Sequence, residues 1–136
     1  MREILALPEL PSICFGPFRP SVISETGQVW MDQALPIREG AARLAHLLEH
    51  EMEPPVMPGA DCLAGAMEAE VHALSTELAW RQKLEVDNPV WPLAIESQWR
   101  ESPDDELIRS YLHEHPEGGG GFAPVLQDYK TRCGDL

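Results

Sequence analysis

Short runs of β-forming residues near the N-terminus give way to apolar residues at helical spacing further along the chain. Two such runs within residues 21–31 flank Gly27, where a tight turn needs a positive φ, and this pattern predicts a hairpin. A further short strand is predicted near Ile13–Phe15, among the prolines of residues 1–20. We therefore expect a small sheet at the N-terminal end.

Helices are predicted for most of the remaining chain. Pro36 suits a first helical turn, and the helix that follows is expected to run to about Glu51, before Pro54. The longest helix is predicted over residues 62–84, with Asp61 as its N-cap. Its apolar residues are spaced three or four apart and form one stripe, which we expect to face the core: Leu63, Met67, Val71, Leu74 and Leu78.

The C-terminal part is predicted to hold shorter helical segments. In chain order they are a Pro92-interrupted segment reaching Arg100, a helix from an N-cap at Ser102 to about His113, and a helix from Pro124 to Arg132. Between the last two, Gly118–Gly121 is expected to be a flexible joint. These patterns predict a single α+β, helix-dominated domain over residues 1–136, with a small N-terminal β-hairpin or sheet followed by four to five helices.

The balance of charge is the unusual feature of the composition. The 136 residues include 10 Lys plus Arg and 23 Asp plus Glu, which gives a formal net charge of −13. An acidic surface of this kind is repelled by nucleic-acid backbones and by anionic membranes, so we expect neither as a partner. A protein or peptide partner is expected instead, and the oligomeric state stays open.

The cysteines and the apolar runs bear on the compartment. No run of 18 apolar residues occurs and the N-terminal apolar run is too short for a signal peptide, so a cytoplasmic protein without a membrane span is expected. Cys14, Cys62 and Cys133 are odd in number and far apart, and the expectation for them is free thiols in a reducing compartment. A Cys14–Cys133 bridge between the two ends is the alternative.

The strongest candidate for chemistry is the stretch 46–50, His-Leu-Leu-Glu-His. Two histidines four residues apart on a helix project from one face, close enough for both imidazoles to reach one ion. Zinc takes four ligands, so a further protein ligand must come from elsewhere. Glu70 lies beside the apolar stripe of the next helix, on the rim that faces the histidine helix, whereas Glu68 points more sideways.

The order of these elements resembles a known family. A strand hairpin, a helix with Leu-Ala-His-x-x-x-His at 44–50, a loop and a second helix with Glu about twenty residues on are together similar to the minimal core of the zincin metallopeptidases of the glutamate-ligand type. The resemblance covers residues 22–84 and leaves 88–136 as a C-terminal helical extension. It implies a zinc site with His46 and His50 as two ligands and Glu70, or failing it Glu68, as the third.

The chain departs from the zincin pattern at one functional position. Members of that family carry Glu directly after the first His, as the general base for the metal-bound water. Leu47 stands there instead, and because leucine accepts no proton, peptide hydrolysis is expected to be lost or reduced by orders of magnitude. The resemblance therefore implies a catalytically degenerate metallopeptidase domain, a pseudoenzyme that keeps its metal.

The same stretch is also similar to the inverted H-x-x-E-H motif of the pitrilysin-like family. On that interpretation Glu49 is the general base, and the reaction is metal-assisted amide hydrolysis. The domains of that family are considerably larger than this chain, and residues 125–128, where its third ligand would fall, offer only an aspartate. Whether the chain is an enzyme stays open, with Glu49 as the candidate catalytic residue.

One further interpretation needs no metal. His46, Glu49 and His50 lie nearly opposite the most apolar arc of their helix, which is also the pattern of an ordinary amphipathic helix with these residues facing solvent. The chain would then be a non-enzymatic interaction module, such as an assembly subunit, an adaptor or an immunity-type protein. Its acidic surface would meet a basic protein, with Trp91 and Trp99 as candidate anchors.

Overall fold

The computed structural model of the chain describes residues 12–17, 22–23, 27–52 and 61–134. The chain divides into two compact units, Met1–Leu35 and Pro36–Leu136. Strands lie in the first unit and helices in the second, so the predicted α+β, helix-dominated class is confirmed. The single domain over residues 1–136 stays a prediction.

The N-terminal unit holds a three-stranded sheet in the order β1-β3-β2. Its strands are β1 (Ile13–Gly16), β2 (Val22–Ile23) and β3 (Val29–Asp32). Strands β2 and β3 pair antiparallel and Gly27 has a φ of 83°, so the predicted hairpin is confirmed. Strand β1, which was predicted near Ile13–Phe15, pairs in parallel with β3.

The second unit is helical. Its helices are α1 (Ile37–Met52), α2 (Cys62–Lys83), α3 (Glu96–Glu101), α4 (Asp105–Glu114) and α5 (Val125–Arg132). The bounds of α1, α2 and α5 agree with those expected from the prolines and the apolar spacing. In the part of the chain that the structure describes, no helix combines the length and the apolar character that crossing a membrane requires.

Helix α4 begins later than the sequence predicted. Asp104, not Ser102, is its N-cap, and the Asp104 carboxylate accepts a hydrogen bond from the backbone N–H of Glu106 at 3.0 Å. Ser102 is instead the C-cap of α3, because α3 continues to Glu101 and Ser102 follows it outside helical geometry. Ser102 and Asp104 are both residue types that cap helix N-termini, and the length of α3 determines that Asp104 caps α4.

The run Gly118–Gly121 is a packed turn and not the flexible joint that was expected. All four glycines have a positive φ, between 58° and 122°. The carbonyl of Gly120 accepts from the Ala94 N–H at 2.8 Å, and that of Gly121 accepts from the Trp91 indole N–H at 2.6 Å. A side chain at position 121 would collide with the backbone of Pro92. This turn therefore requires glycine.

Helix α2 supplies the centre of the hydrophobic core. The predicted stripe is confirmed, since four of its five members are buried and Leu63 is partly buried against them. The other buried members of this core come from the chain after α2: Leu93, Ile95, Trp99, Ile108, Leu112, Phe122 and Leu126. Because only 5% of Trp99 is exposed, its predicted role as a surface anchor is wrong.

A disulfide joins Cys62 to Cys133. It links the first residue of α2 to the residue that follows α5. The expected set of free thiols and the alternative Cys14–Cys133 bridge are both wrong, and Cys14 is the free cysteine. The two partners are 71 residues apart in sequence, and their pairing follows from the packing of α5 against α2, which no local spacing reveals.

Candidate metal centre

The candidate site lies between α1 and α2. Polar side chains of α1 contact polar side chains of α2 along the whole interface, and later residues of α1 meet earlier residues of α2. The helices are therefore antiparallel, as these three contacts require: Glu39 with Arg81, Arg43 with Glu77, and His50 with Glu70.

The structure brings together the three ligands that the zincin resemblance implies. His46 Nε2 lies 3.2 Å from Glu70 Oε1, and His50 Nε2 lies 2.8 Å from Glu70 Oε2. The two imidazole rings are tilted against each other, with centroids 5.1 Å apart. One donor atom from each residue lies within 4.8 Å of the other two, so this group could hold a metal ion.

His46 is buried, which overturns the solvent-facing interpretation of this helix. Only 3% of the His46 side chain is exposed, against 10% for Glu70 and 20% for His50. A histidine on the wet side of an amphipathic helix would be far more exposed. The group is thus closed around His46 and reaches solvent on the side of His50.

The three donors fit a transition-metal site. Zinc binds imidazole nitrogen and carboxylate oxygen at about 2.0–2.2 Å, which puts neighbouring ligand atoms of a tetrahedral ion about 3.3 Å apart. The observed nitrogen-to-oxygen distances of 2.8 and 3.2 Å end on different oxygens of Glu70, and one donor atom from each residue lies within 4.8 Å of the others, so small side-chain movements would bring the three atoms to that separation. Three protein ligands leave one position open, as in catalytic zinc sites. The same donors suit other divalent transition metals as well.

Glu77 holds His46 from the other side of its ring. The Glu77 Oε1 atom lies 2.9 Å from His46 Nδ1, and the same oxygen accepts a hydrogen bond from Arg43 at 2.9 Å. A carboxylate that accepts from Nδ1–H fixes the tautomer and directs Nε2 towards an ion. The contact of Glu77 with His46 was not predicted from the sequence, because it depends on how the helices pack.

Charge within this group is strongly coupled. Burial and Arg43 lower the pKa of His46, but the carboxylates of Glu70 and Glu77 outweigh them and raise it above its ordinary value. Burial raises the pKa of Glu70, yet His46 and His50 hold it well below its usual range. Burial also raises the pKa of Glu77, but Arg43, His46 and Arg81 outweigh it and lower that pKa to about 2. Both carboxylates are therefore ionised near neutral pH.

Tyr129 joins the group from α5. Its hydroxyl donates a hydrogen bond to Glu70 Oε2 at 3.1 Å. Burial, followed by the charge of Glu70, raises the pKa of Tyr129, so the phenol stays protonated and acts as a donor. No sequence pattern predicts this contact, since the two residues are 59 positions apart.

The remaining candidates lie elsewhere on the helices. Glu68 is exposed and paired with Arg109, whose Nε lies 2.7 Å from Glu68 Oε2, so Glu70 is the carboxylate that meets the histidines. Glu49 contacts the exposed His72 at 3.4 Å. Within the described ranges, Glu49 is outside the three-residue metal-binding group. Its role as a general base stays a prediction.

A second buried ionic group lies further along the same helix pair. We call it the Arg81 cluster (Arg81, Glu39, Glu77, Glu96) and the first one the His46 cluster (His46, His50, Glu70, Glu77, Tyr129). Arg81 is 3.0 Å from Glu96 Oε1, 3.6 Å from Glu77 Oε2 and 3.7 Å from Glu39 Oε2. Glu39 also accepts two backbone N–H bonds, from Val90 and Trp91, at 2.7 Å each.

Comparison with known proteins leaves these observations to stand by themselves. No family model matches the chain, no curated protein matches it, and no solved structure matches it. The likeness to zincins therefore stays a prediction from the motif.

Proposed function

We propose that this chain is a zincin-like metal-binding domain that holds zinc through His46, His50 and Glu70. The observation that carries the proposal is the convergence of three donor atoms within 4.8 Å between two helices. The spacing of the histidines on one helix and the carboxylate on the next matches what the resemblance implies.

The partners of these ligands support the same proposal. Glu77 is bonded to the Nδ1 atom of His46, and Tyr129 is bonded to the carboxylate of Glu70. Hydrogen-bonded outer partners of this kind orient the ligands of metal sites and tune their basicity. Buried ion pairs alone are a weak source of stability, which favours a further role for so many polar groups in one interface.

The domain is proposed to be a catalytically degenerate metallopeptidase. Zinc in such a site supplies a Lewis acid and a nucleophile derived from water. The chain supplies no proton acceptor at position 47, where the buried Leu47 stands. Glu49 is the remaining candidate base for metal-assisted amide hydrolysis, and it contacts His72.

Metal analysis tests the binding site directly. Purified wild-type protein is expected to bind one zinc ion per chain, and His46→Ala is expected to lose it. His72→Ala is the matched control, because this histidine lies on the neighbouring helix with 61% of its side chain exposed and pairs with Glu49. A wild-type chain that binds no zinc, or a His46→Ala variant that binds it equally well, contradicts the proposal.

A peptidase assay of the zinc-loaded protein tests the catalytic part. Turnover of an unstructured peptide is expected to be absent or orders of magnitude below that of a zincin with its glutamate base. Any turnover is expected to disappear in Glu49→Gln. Activity that survives Glu49→Gln would show that another group is the base.

A second candidate function is a non-enzymatic module that binds a basic protein. The formal net charge of −13 supports it, since complementary charge speeds encounter and selects partners. A basic protein that co-purifies with the metal-free chain at low salt and dissociates at high salt is the expected result. Binding that is insensitive to salt speaks against this candidate.

A further inference from the structure

Two connections tie α5 to α2 near the candidate site. Tyr129 bonds to Glu70 at 3.1 Å, and Cys133 bonds covalently to Cys62. Tyr129 lies four residues before Cys133, and Glu70 lies eight residues after Cys62. The helices therefore run antiparallel, and the disulfide and the tyrosine contact lie along the same interface.

Helix α5 depends on this interface for its position. It has only eight residues, and a helix of that length is not stable alone in water. Its buried Leu126 belongs to the core around α2, and Tyr129 packs against that core as well. The disulfide adds a covalent constraint at the end nearest Tyr129. Without it, the last turn of α5 has to be held by side-chain packing and the hydrogen bond of Tyr129 to Glu70.

Tyr129 has a particular importance once an ion is bound. The hydrogen-bonding partners of the Glu70 carboxylate in the described structure are His46, His50 and Tyr129. An ion that takes the Nε2 atoms of both histidines removes them as donors to Glu70. The Tyr129 hydroxyl then remains to fix the orientation of this ligand.

We propose that Tyr129 is a positioning residue for the metal ligand Glu70, and that the Cys62–Cys133 disulfide keeps it in place, so that zinc affinity depends on the oxidation state of the bridge. The inference rests on the proposed function. A dithiol can reduce the bridge: the S–S bond breaks, two cysteine thiols form with the protons of the dithiol, and the dithiol closes to its own disulfide.

Tyr129→Phe tests the positioning role. The ring and its packing remain, and only the hydroxyl that donates to Glu70 is removed. The dissociation constant for zinc, measured at fixed pH against a chromophoric chelator, is expected to rise about 10- to 100-fold. Tyr111→Phe is the matched control, since Tyr111 packs against the same core but stacks on His115. Equal zinc affinity in Tyr129→Phe and wild type overturns this role.

The Cys62→Ser/Cys133→Ser variant tests the bridge. Its zinc affinity is expected to fall, and adding Tyr129→Phe to it is expected to cause less further loss than in the bridged protein, because both changes act on one contact. Fully additive losses, or no loss in the serine variant, overturn the coupling. Cys14→Ser is the control for thiol content.

A second measurement decides the outcome if the serine variant does not fold. Wild-type protein is reduced with a dithiol, desalted without oxygen, checked for helical circular dichroism and titrated with zinc. Weaker binding than in the oxidised protein supports the coupling, and equal binding overturns it. Wild type that binds no zinc in either state contradicts the proposed function itself, whereas zinc binding that ignores Tyr129 and the bridge contradicts only this inference.

Discussion

The helix pair α1 and α2 carries two buried ionic clusters that share Glu77. They differ in the groups that face their carboxylates. In the Arg81 cluster a guanidinium lies among three carboxylates and donates at 2.7 Å to the carbonyl of Trp91. In the His46 cluster the carboxylate of Glu70 meets two imidazoles and a phenol. One cluster contains a permanent cation and the other contains groups that metals bind.

This difference suggests a structural role for the Arg81 cluster and a metal-binding role for the His46 cluster. Arginine stays charged in proteins and offers only donors, so the carboxylates of the Arg81 cluster already face a cation without any ligand. Imidazole becomes a metal ligand once it gives up its proton, so the His46 cluster can exchange protons for an ion. We therefore expect the Arg81 cluster to govern stability and the His46 cluster to govern metal binding, with Glu77 affecting both.

The largest expected effect comes from Arg81→Met. This substitution leaves Glu39, Glu77 and Glu96 facing a buried space without their common cation, which is expected to cost about 3–5 kcal/mol of unfolding free energy. Urea denaturation measures the loss. Arg109→Met is the control, because Arg109 forms its ion pairs on the surface and its loss is expected to change stability little. Equal losses in the two variants would remove the distinction between the clusters.

Acid is expected to weaken the metal-free protein by up to about 3 kcal/mol through Glu77. The pKa of Glu77 is about 2 in the folded protein, below its ordinary value of 4.5, because Arg43, His46 and Arg81 outweigh its burial. Its contribution to stability is therefore complete above pH 4.5 and is lost as the pH falls towards 2. Urea denaturation across this range is expected to show the decline, and a smaller one in Glu77→Gln.

Glu77→Gln is also expected to weaken zinc binding about 10- to 100-fold, because the charged acceptor of His46 Nδ1 is removed. The control is Glu96→Gln, which alters the Arg81 cluster without touching His46. Zinc titration of both variants separates the two effects of Glu77. If Glu96→Gln weakens zinc binding as much, the clusters behave as one unit and the comparison fails.

Local patterns predicted the parts of the site that a single helix determines. Pro36 and the prolines after Glu51 bound α1, and the spacing of His46 and His50 puts both rings on one face. The apolar stripe of α2 predicted which side of that helix is buried, and the position of Glu70 beside the stripe followed from it. These features depend on helical geometry alone, which sequence periodicity reports well.

Contacts between elements could not be predicted in the same way. The burial of His46 follows from its meeting with Glu77, and the completion of the site by Tyr129 follows from the docking of α5. Arg81 reads as an ordinary cation in the last turn of α2, yet only 1% of its side chain is exposed. A polar residue becomes buried only when its partners are supplied, and the hydrogen bonds of Arg81 to Glu96 and of Tyr129 to Glu70 join residues 15 and 59 positions apart.

The smallest expected effect is that of Glu68→Gln, and it tests which face of α2 meets the histidines. Glu68 and Glu70 are two positions apart, so the helix turns their side chains about 200° away from each other. Glu68 pairs with Arg109 on the surface, and its loss is expected to leave zinc affinity unchanged and stability nearly so. Glu70→Gln is expected to abolish stoichiometric zinc binding, since the carboxylate is one of the three proposed ligands. If zinc titration instead shows the greater loss in Glu68→Gln, α2 presents its other face to the ion, and the contrast between the His46 and Arg81 clusters no longer explains metal binding.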